Sequence, residues 1–399
     1  VATPLRLSDV RAYRLNIPMR VKFEHAAATR SVADPIVVEV TAHAPYAHIS
    51  GFGETLARGY VTGESADTVL QDLRAVFSPR LYEFSPASFA EALEFIESLA
   101  LEHEGRLVHA ARCALELALL DLSGRAFGRS ASDVAGWLGL PGFGPPGATE
   151  SIRYSGIVLG KSQRTIRTSL RVQQFYGLRD FKLKVATPGW EDRARWAAAA
   201  LARGLARREV TLRADANSGW SLAEAHAGAE LLESLGVCAI EQPMPEGNDA
   251  DIAYLAEQTG CAFIADESLR SMDDLTRLLE FGGVQIFNLR LAKNGGLMPT
   301  LRMARAVLQA GREVQLGCLV GETGILTAAG HAFLRACPRV RFAEGAFGRF
   351  LLRADVTRPS RNEGWGGKLR GVGPFGLGVH VSQAALKRLA TEVVTIARF

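Results

Sequence analysis

Two rhythms of apolar residues run along this 399-residue chain. In the first third, β-branched and aromatic runs at 4–17, 36–45 and 48–56 are separated by turn residues, the pattern of strands. Helical periodicity follows at about 64–78, 87–103 and 107–126, the last apolar over a wide face and ending near a glycine. Strands followed by helices predict a small α+β unit. From about residue 150, short apolar strands alternate with helical stretches, at 151–157, 180–185, 209–216, 237–243, 261–268, 284–291, 313–320 and 340–345. Eight strands spaced by helices over roughly 220 residues fit a parallel α/β barrel of the TIM type. PGFGPPG at 141–147 is the sharpest break in the chain. The expected organisation is an α+β domain over 1–135 and a barrel over 148–371, with a Gly-, Arg- and Asn-rich loop over 346–371. The tail, 372–399, reads as a helix that packs back on the first domain and completes it.

Composition adds exclusions. The chain is 48% hydrophobic and 22% charged, as in a globular protein, and its net charge of +4 is not gathered into a basic run interleaved with aromatics. Neither a nucleic-acid partner nor a membrane partner is expected, and VATPLRLSDVRAYRL has no long apolar run that would read as a signal peptide. The five cysteines form no CxxC pair, which suits reduced thiols in a cytoplasmic protein. Of the 46 basic side chains only seven are lysine, so a lysine that persists is informative, and two of the seven stand in FKLKV.

The candidate chemistry lies at the C-terminal ends of the barrel strands, where active sites of this architecture are built. Lys182 and Lys184, Asp215, Glu241, Asp266 with Glu267, and Arg290 recur once per βα unit. Three carboxylates converging from adjacent strands repel unless a cation sits among them, and a hard divalent ion, Mg2+ with Mn2+ as the alternative, suits oxygen ligands. Lys182 and Lys184 share a strand face opposite Phe181, Leu183 and Val185, so both ammonium groups point into the barrel mouth. Mutual repulsion and burial are expected to lower their pKa toward the range of a general base.

FKLKV, LRADAN, IEQP, ADES and NLRLAKNGG, in this order and spacing, resemble the muconate-lactonizing subgroup of the enolase superfamily. The resemblance extends to GFGETLARGYVTGES and PFGLGVHV. It implies an α/β fold, a modified TIM barrel (β/α)7β lacking the eighth helix, under an α+β capping domain. It implies Asp215, Glu241 and Asp266 as metal ligands, Lys184 as acid/base and Lys182 as its electrostatic neighbour. The implied chemistry is removal of a proton next to a carboxylate, with a small carboxylate as substrate, and a homo-oligomeric assembly is common in the family.

The chain departs from the family at the sixth strand, where a second acid/base lysine is expected. Phe287, Leu289 and Leu291 alternate outward, so Asn288 and Arg290 point inward and Lys293 falls past the strand in the turn. Arginine stays protonated and is a poor base, and Glu267 is the expected partner that keeps Arg290 charged. One-base reactions, cycloisomerisation or an o-succinylbenzoate-synthase-like dehydration, are therefore favoured over a two-base N-acyl-amino-acid racemase or epimerase. A barrel that binds a metabolite without turnover is the reading outside enzymology. On strand seven, LVGETG puts Glu322 one residue past the family's usual glutamate, and FAEGAFGRFLLRADV lacks an Asp-x-Asp for a substrate amine. Asn217 beside Asp215, His25 in FEHAAATR and Tyr60 in ARGYVTG complete the candidates for substrate contact or support.

Overall fold

The computed structural model describes residues 3–25, 28–144, 153–345, 347–358, 364–368 and 373–399 of the chain. All eight expected barrel strands form one parallel sheet in sequence order. They are Gly156–Ile157, Asp180–Lys184, Thr211–Asp215, Ala239–Glu241, Ala262–Ala265, Ile286–Leu289, Glu313–Leu316 and Phe342–Ala343. A parallel bridge from Tyr154 to Ala343, with Ser155 N donating to Ala343 O at 2.8 Å, joins the first strand segment to the eighth and closes the ring. Helices follow the first seven strands, from Gln163–Phe175 to Gly324–Ala336, whereas the eighth is followed by the single turn Gly348–Leu351. The fold is the (β/α)7β barrel with a capping domain.

Period-two alternation sorts the barrel's interior. Phe181, Leu183 and Val185 are buried against the helices. Ala239, Ile264, Ile286 and Phe342 form a separate apolar cluster from inward-facing positions, one step below the polar residues. Apolar side chains thus fill part of the barrel interior, with Lys182 and Arg213 level with Ala239 and the acids above them at the strand ends.

The cap is a four-stranded antiparallel sheet packed on helix His109–Ala126. The tail is a helix, Gln383–Leu389, followed by a strand, Ala390–Arg398, and the strand pairs antiparallel with Leu7–Leu15 as the sheet's edge. The expectation of a helical tail is corrected to that extent: TEVVTIARF is β-branched and finds an open edge. The span read as one strand, 4–17, breaks at Asn16, and a hairpin follows, Ile17–His25 with Ala28–Ala33. The helix expected at 64–78 is Ala66–Asp72 running into a π turn, Leu73–Phe77.

Cap and barrel are joined through buried polar groups. The Glu54 carboxylate accepts from Thr323 N at 2.7 Å and Leu326 N at 2.8 Å, and from the Thr323 hydroxyl at 2.7 Å, at the start of the seventh helix. On the other side, His109 Nδ1 lies 2.8 Å from Lys293 O, Arg112 donates to Gly295 O at 2.6 Å, and Glu116 accepts from Met298 N at 2.9 Å. Gly296 has φ of 121°, and a Cβ there would meet the Glu116 carboxylate at about 2.5 Å, so the Gly-Gly turn after strand six is shaped by the cap helix. No helix among the described residues is long and apolar enough to cross a membrane.

Candidate active site

Parallel register puts Asp215 and Glu241 level with Lys184. Asp215 pairs with Lys184 on one side and Glu241 on the other, while Arg213 pairs with Lys182 one step below. Lys184 Nζ donates to Asp215 Oδ2 at 2.6 Å and Asn217 Oδ1 at 2.7 Å, and its side chain remains 23% exposed to the cavity. Lys182 is buried and reaches three acids, Glu344 at 2.6 Å, Asp215 at 3.0 Å and Glu241 at 3.4 Å. The expected lowering of its pKa is overturned. Burial pulls the ammonium down, but Glu241, Glu344 and Asp215 together outweigh it and hold Lys182 protonated.

The acids respond to the same pairing. Burial alone would raise Asp215, yet Lys184 and Lys182 hold it well below the usual carboxylate range. Glu241 is pushed up, by burial first and then by the charge of Asp215. Its oxygens accept from Asn288 at 3.0 Å and Gln315 at 2.9 Å. Asp266 is kept low against burial by Arg290 and Lys293.

Two expectations about strand six change here. Arg290 points inward as parity required, and Glu267 does help to hold its charge, but its ion-pair partner is Asp266, with Glu241 at 3.7 Å. Glu267 instead accepts from Asn217 Nδ2 at 3.1 Å, and its second oxygen has no hydrogen-bond partner among the described residues. Lys293 is not an idle turn residue. It is fully buried, and its Nζ donates to Asp266 Oδ1 at 2.9 Å and to the carbonyls of Asp266 and Asn288, each at 2.7 Å. The turn folds the side chain back under the strand end, which period-two counting cannot foresee because the residue lies outside the strand.

Glu344 was absent from the sequence-derived set. It directly follows the eighth strand, two positions after inward-facing Phe342, accepts from Lys182 and from Arg213 Nη2 at 2.7 Å, and is held low, against burial, by Lys182 and Arg213. The parity of FAEG contained that signal. Of the remaining candidates, Tyr60 lines the cavity from the cap, and Asn217 and Glu267 line it from the barrel. Glu322 turns back to accept from Leu319 N at 2.6 Å and does not line that cavity; burial raises its pKa to about 8. The side chain of His25 lies outside the described residues. The cavity is thus lined by cations and acids together with the apolar side chains of Ile157, Leu319, Val320, Phe347 and Leu351.

Whether the carboxylates suit a divalent ion is a question of donor chemistry. Asp215, Glu241 and Asp266 are oxygen donors without solvent exposure on neighbouring strand ends, and burial and the charge of Asp215 disfavour ionisation of Glu241, a penalty that a cation beside it would relieve. The set fits a hard cation in type. It is not gathered around one point, however: among the described residues no three such side chains stand in a ligand arrangement, because Lys182, Arg290 and Lys293 lie between them.

A barrel of this topology with acids at the ends of its third, fourth and fifth strands, under such a cap, defines an enolase-type protein. The chain belongs to the mandelate racemase/muconate lactonizing enzyme family of that superfamily: the family's N-terminal domain model matches residues 8–136, and the enolase C-terminal domain-like model matches residues 166–385. A hydrophobic dipeptide epimerase of Enterococcus faecalis is 25% identical over 329 residues, 82% of this chain and 86% of the relative. A chloromuconate cycloisomerase of Delftia acidovorans is 27% identical over 358 residues, 89% of this chain and 91% of the relative. The crystal structure of N-succinyl Arg/Lys racemase from Bacillus cereus superposes with a TM-score of 0.80 at 20% identity, covering 98% of this chain and all of that one.

Proposed function

We propose that this isomerase of the enolase superfamily moves a proton at the carbon next to a carboxylate in a small organic acid, with one base, in the manner of a muconate cycloisomerase. The observation that carries the reading is the asymmetry of the cavity. Lys184 faces it from strand two, while the strand-six position opposite holds Arg290, whose guanidinium Asp266, Glu267 and Glu241 keep charged against burial.

Each residue then has a task. Lys184 takes or returns the proton, oriented by Asn217 and Asp215. Lys182, held charged, and Arg290 supply positive potential where negative charge develops on the substrate's oxygens. Asp215, Glu241 and Asp266 would hold Mg2+, or Mn2+, which when bound supplies further positive charge to the enolate oxygens. Leu319, Val320 and Phe347 exclude water from the reacting carbon's side of the cavity. The substrate is a small carboxylate.

A second reading, racemisation or epimerisation of an N-acyl amino acid or dipeptide, is favoured by the epimerase and racemase relatives and needs Arg290 to deliver a proton from the far face. The test is a screen of carboxylates with Mg2+ in deuterated water, followed by mass and product analysis. Label delivered to one face without inversion, and reduced about 1000-fold or more in Lys184→Ala, is expected. Inversion with label would install the second reading. Absence of any exchange or product, with Lys184→Ala indistinguishable from the natural protein, would sink both.

A further inference from the structure

We propose that Arg290 serves as a built-in cation between Glu241 and Asp266, so that a divalent ion enters only by displacing a guanidinium the chain itself supplies. The inference rests on the proposed ligand set and deepens it. Arg290 Nη2 is paired with Asp266 Oδ2 and stands 3.7 Å from Glu241 Oε1, so one end of one side chain serves two of the three carboxylates. The other Asp266 oxygen is taken by Lys293 at 2.9 Å, and Lys293 is fixed by two carbonyls as well. Asp266 therefore has a cation on each oxygen.

The arginine's path is also built. Gly317, at the end of strand seven, lies so close that a Cβ there would meet Arg290 Cγ and Nε at about 3.0 Å. A side chain at 317 would occupy the groove in which the arginine stem runs. The neighbouring acids are likewise occupied from within the chain, Asp215 by Lys184 and Lys182, and Glu344 by Lys182 and Arg213. A dication added to this set meets a guanidinium that keeps its charge, and bringing like charges together costs affinity.

The experiment is a titration of the full chain with Mn2+ alone, with bound metal read by electron paramagnetic resonance and folding checked by circular dichroism. Arg290→Met is expected to bind Mn2+ about tenfold or more tighter than the natural protein, and Arg290→Lys, shorter but charged, to fall between them. Adding Glu241→Gln to Arg290→Met should remove the gain. Should Arg290→Met fail to fold, the comparison of Arg290→Lys with the natural protein decides. Equal affinity of the natural protein and the folded Arg290 variants, with Glu241→Gln still weakening Mn2+, overturns the proposal and leaves the ligand set standing. No binding by any of these chains at millimolar Mn2+ overturns the ligand set and this proposal with it.

Discussion

A lysine without solvent contact must find partners inside the protein or surrender its charge. Lys293 finds Asp266 and two backbone carbonyls, and the Asp266 carboxylate depends on it in return. Lys293→Met is expected to lower stability by about 3–5 kcal/mol, since it strips one partner from a buried ion pair, and denaturant unfolding measures the loss. A substitution in an exposed turn would cost under about 0.5 kcal/mol, and that small value would return Lys293 to the role its position past the strand suggested. Lys182→Met should be at least as damaging, because Glu344, Glu241 and Asp215 all lose the same ammonium group. At this scale side-chain direction within strands was legible. Asn288 and Arg290 point inward by simple alternation, as does Glu344 once Phe342 is placed. Partner choice was hidden, because Arg290 pairs with Asp266 rather than Glu267 according to where the neighbouring strand ends place the two carboxylates.

Strand Ser50–Thr55 shows how an element can be fixed by what it lacks. A Cβ on Gly53 would fall on the carbonyl of Ala114, and one on Gly51 on the carbonyl of Ala118, so the strand lies flush on helix His109–Ala126. Gly53→Ala is expected to cost about 1–3 kcal/mol or more through overpacking, visible as a lowered melting temperature. The next residue, Glu54, ties the same strand to the seventh barrel helix, and burial raises its pKa from 4.5 to about 7. A carboxyl group raised in the folded state binds its proton more readily there than when unfolded. Its contribution is fully present below about pH 4.5 and is lost as pH rises through 7. Glu54→Gln should therefore gain stability relative to the natural protein between pH 5 and 8, on the order of 3 kcal/mol, in unfolding experiments run across that range. Glu64, also raised to about 7, is common to both proteins and cancels in the comparison. The barrel strands were legible because each is a short apolar run bounded by turns. The hairpin Ile17–His25/Ala28–Ala33 was not, since its charged residues and Pro18 interrupt the alternation that marks a strand.

At the scale of the molecule, the chain's two ends meet in one sheet. Leu7–Leu15 is flanked by Ile36–Ala42 on one side and by Ala390–Arg398 on the other. Removing residues 390–399 should bare a long row of backbone donors and acceptors, lowering the melting temperature and opening the cap to limited proteolysis, with a tendency to aggregate. That long-range pairing is invisible to local periodicity, whereas the barrel was readable because each of its strands neighbours the next in sequence. Lys293 ties the cap directly to the acids below. The backbone carbonyl of Lys293 is held by His109 of the cap, and its side chain holds Asp266. The turn that carries the ammonium beside Asp266 is thus braced from the cap. His109→Ala is expected to loosen that brace, so a residue with no part in the chemistry would weaken the site from a neighbouring domain.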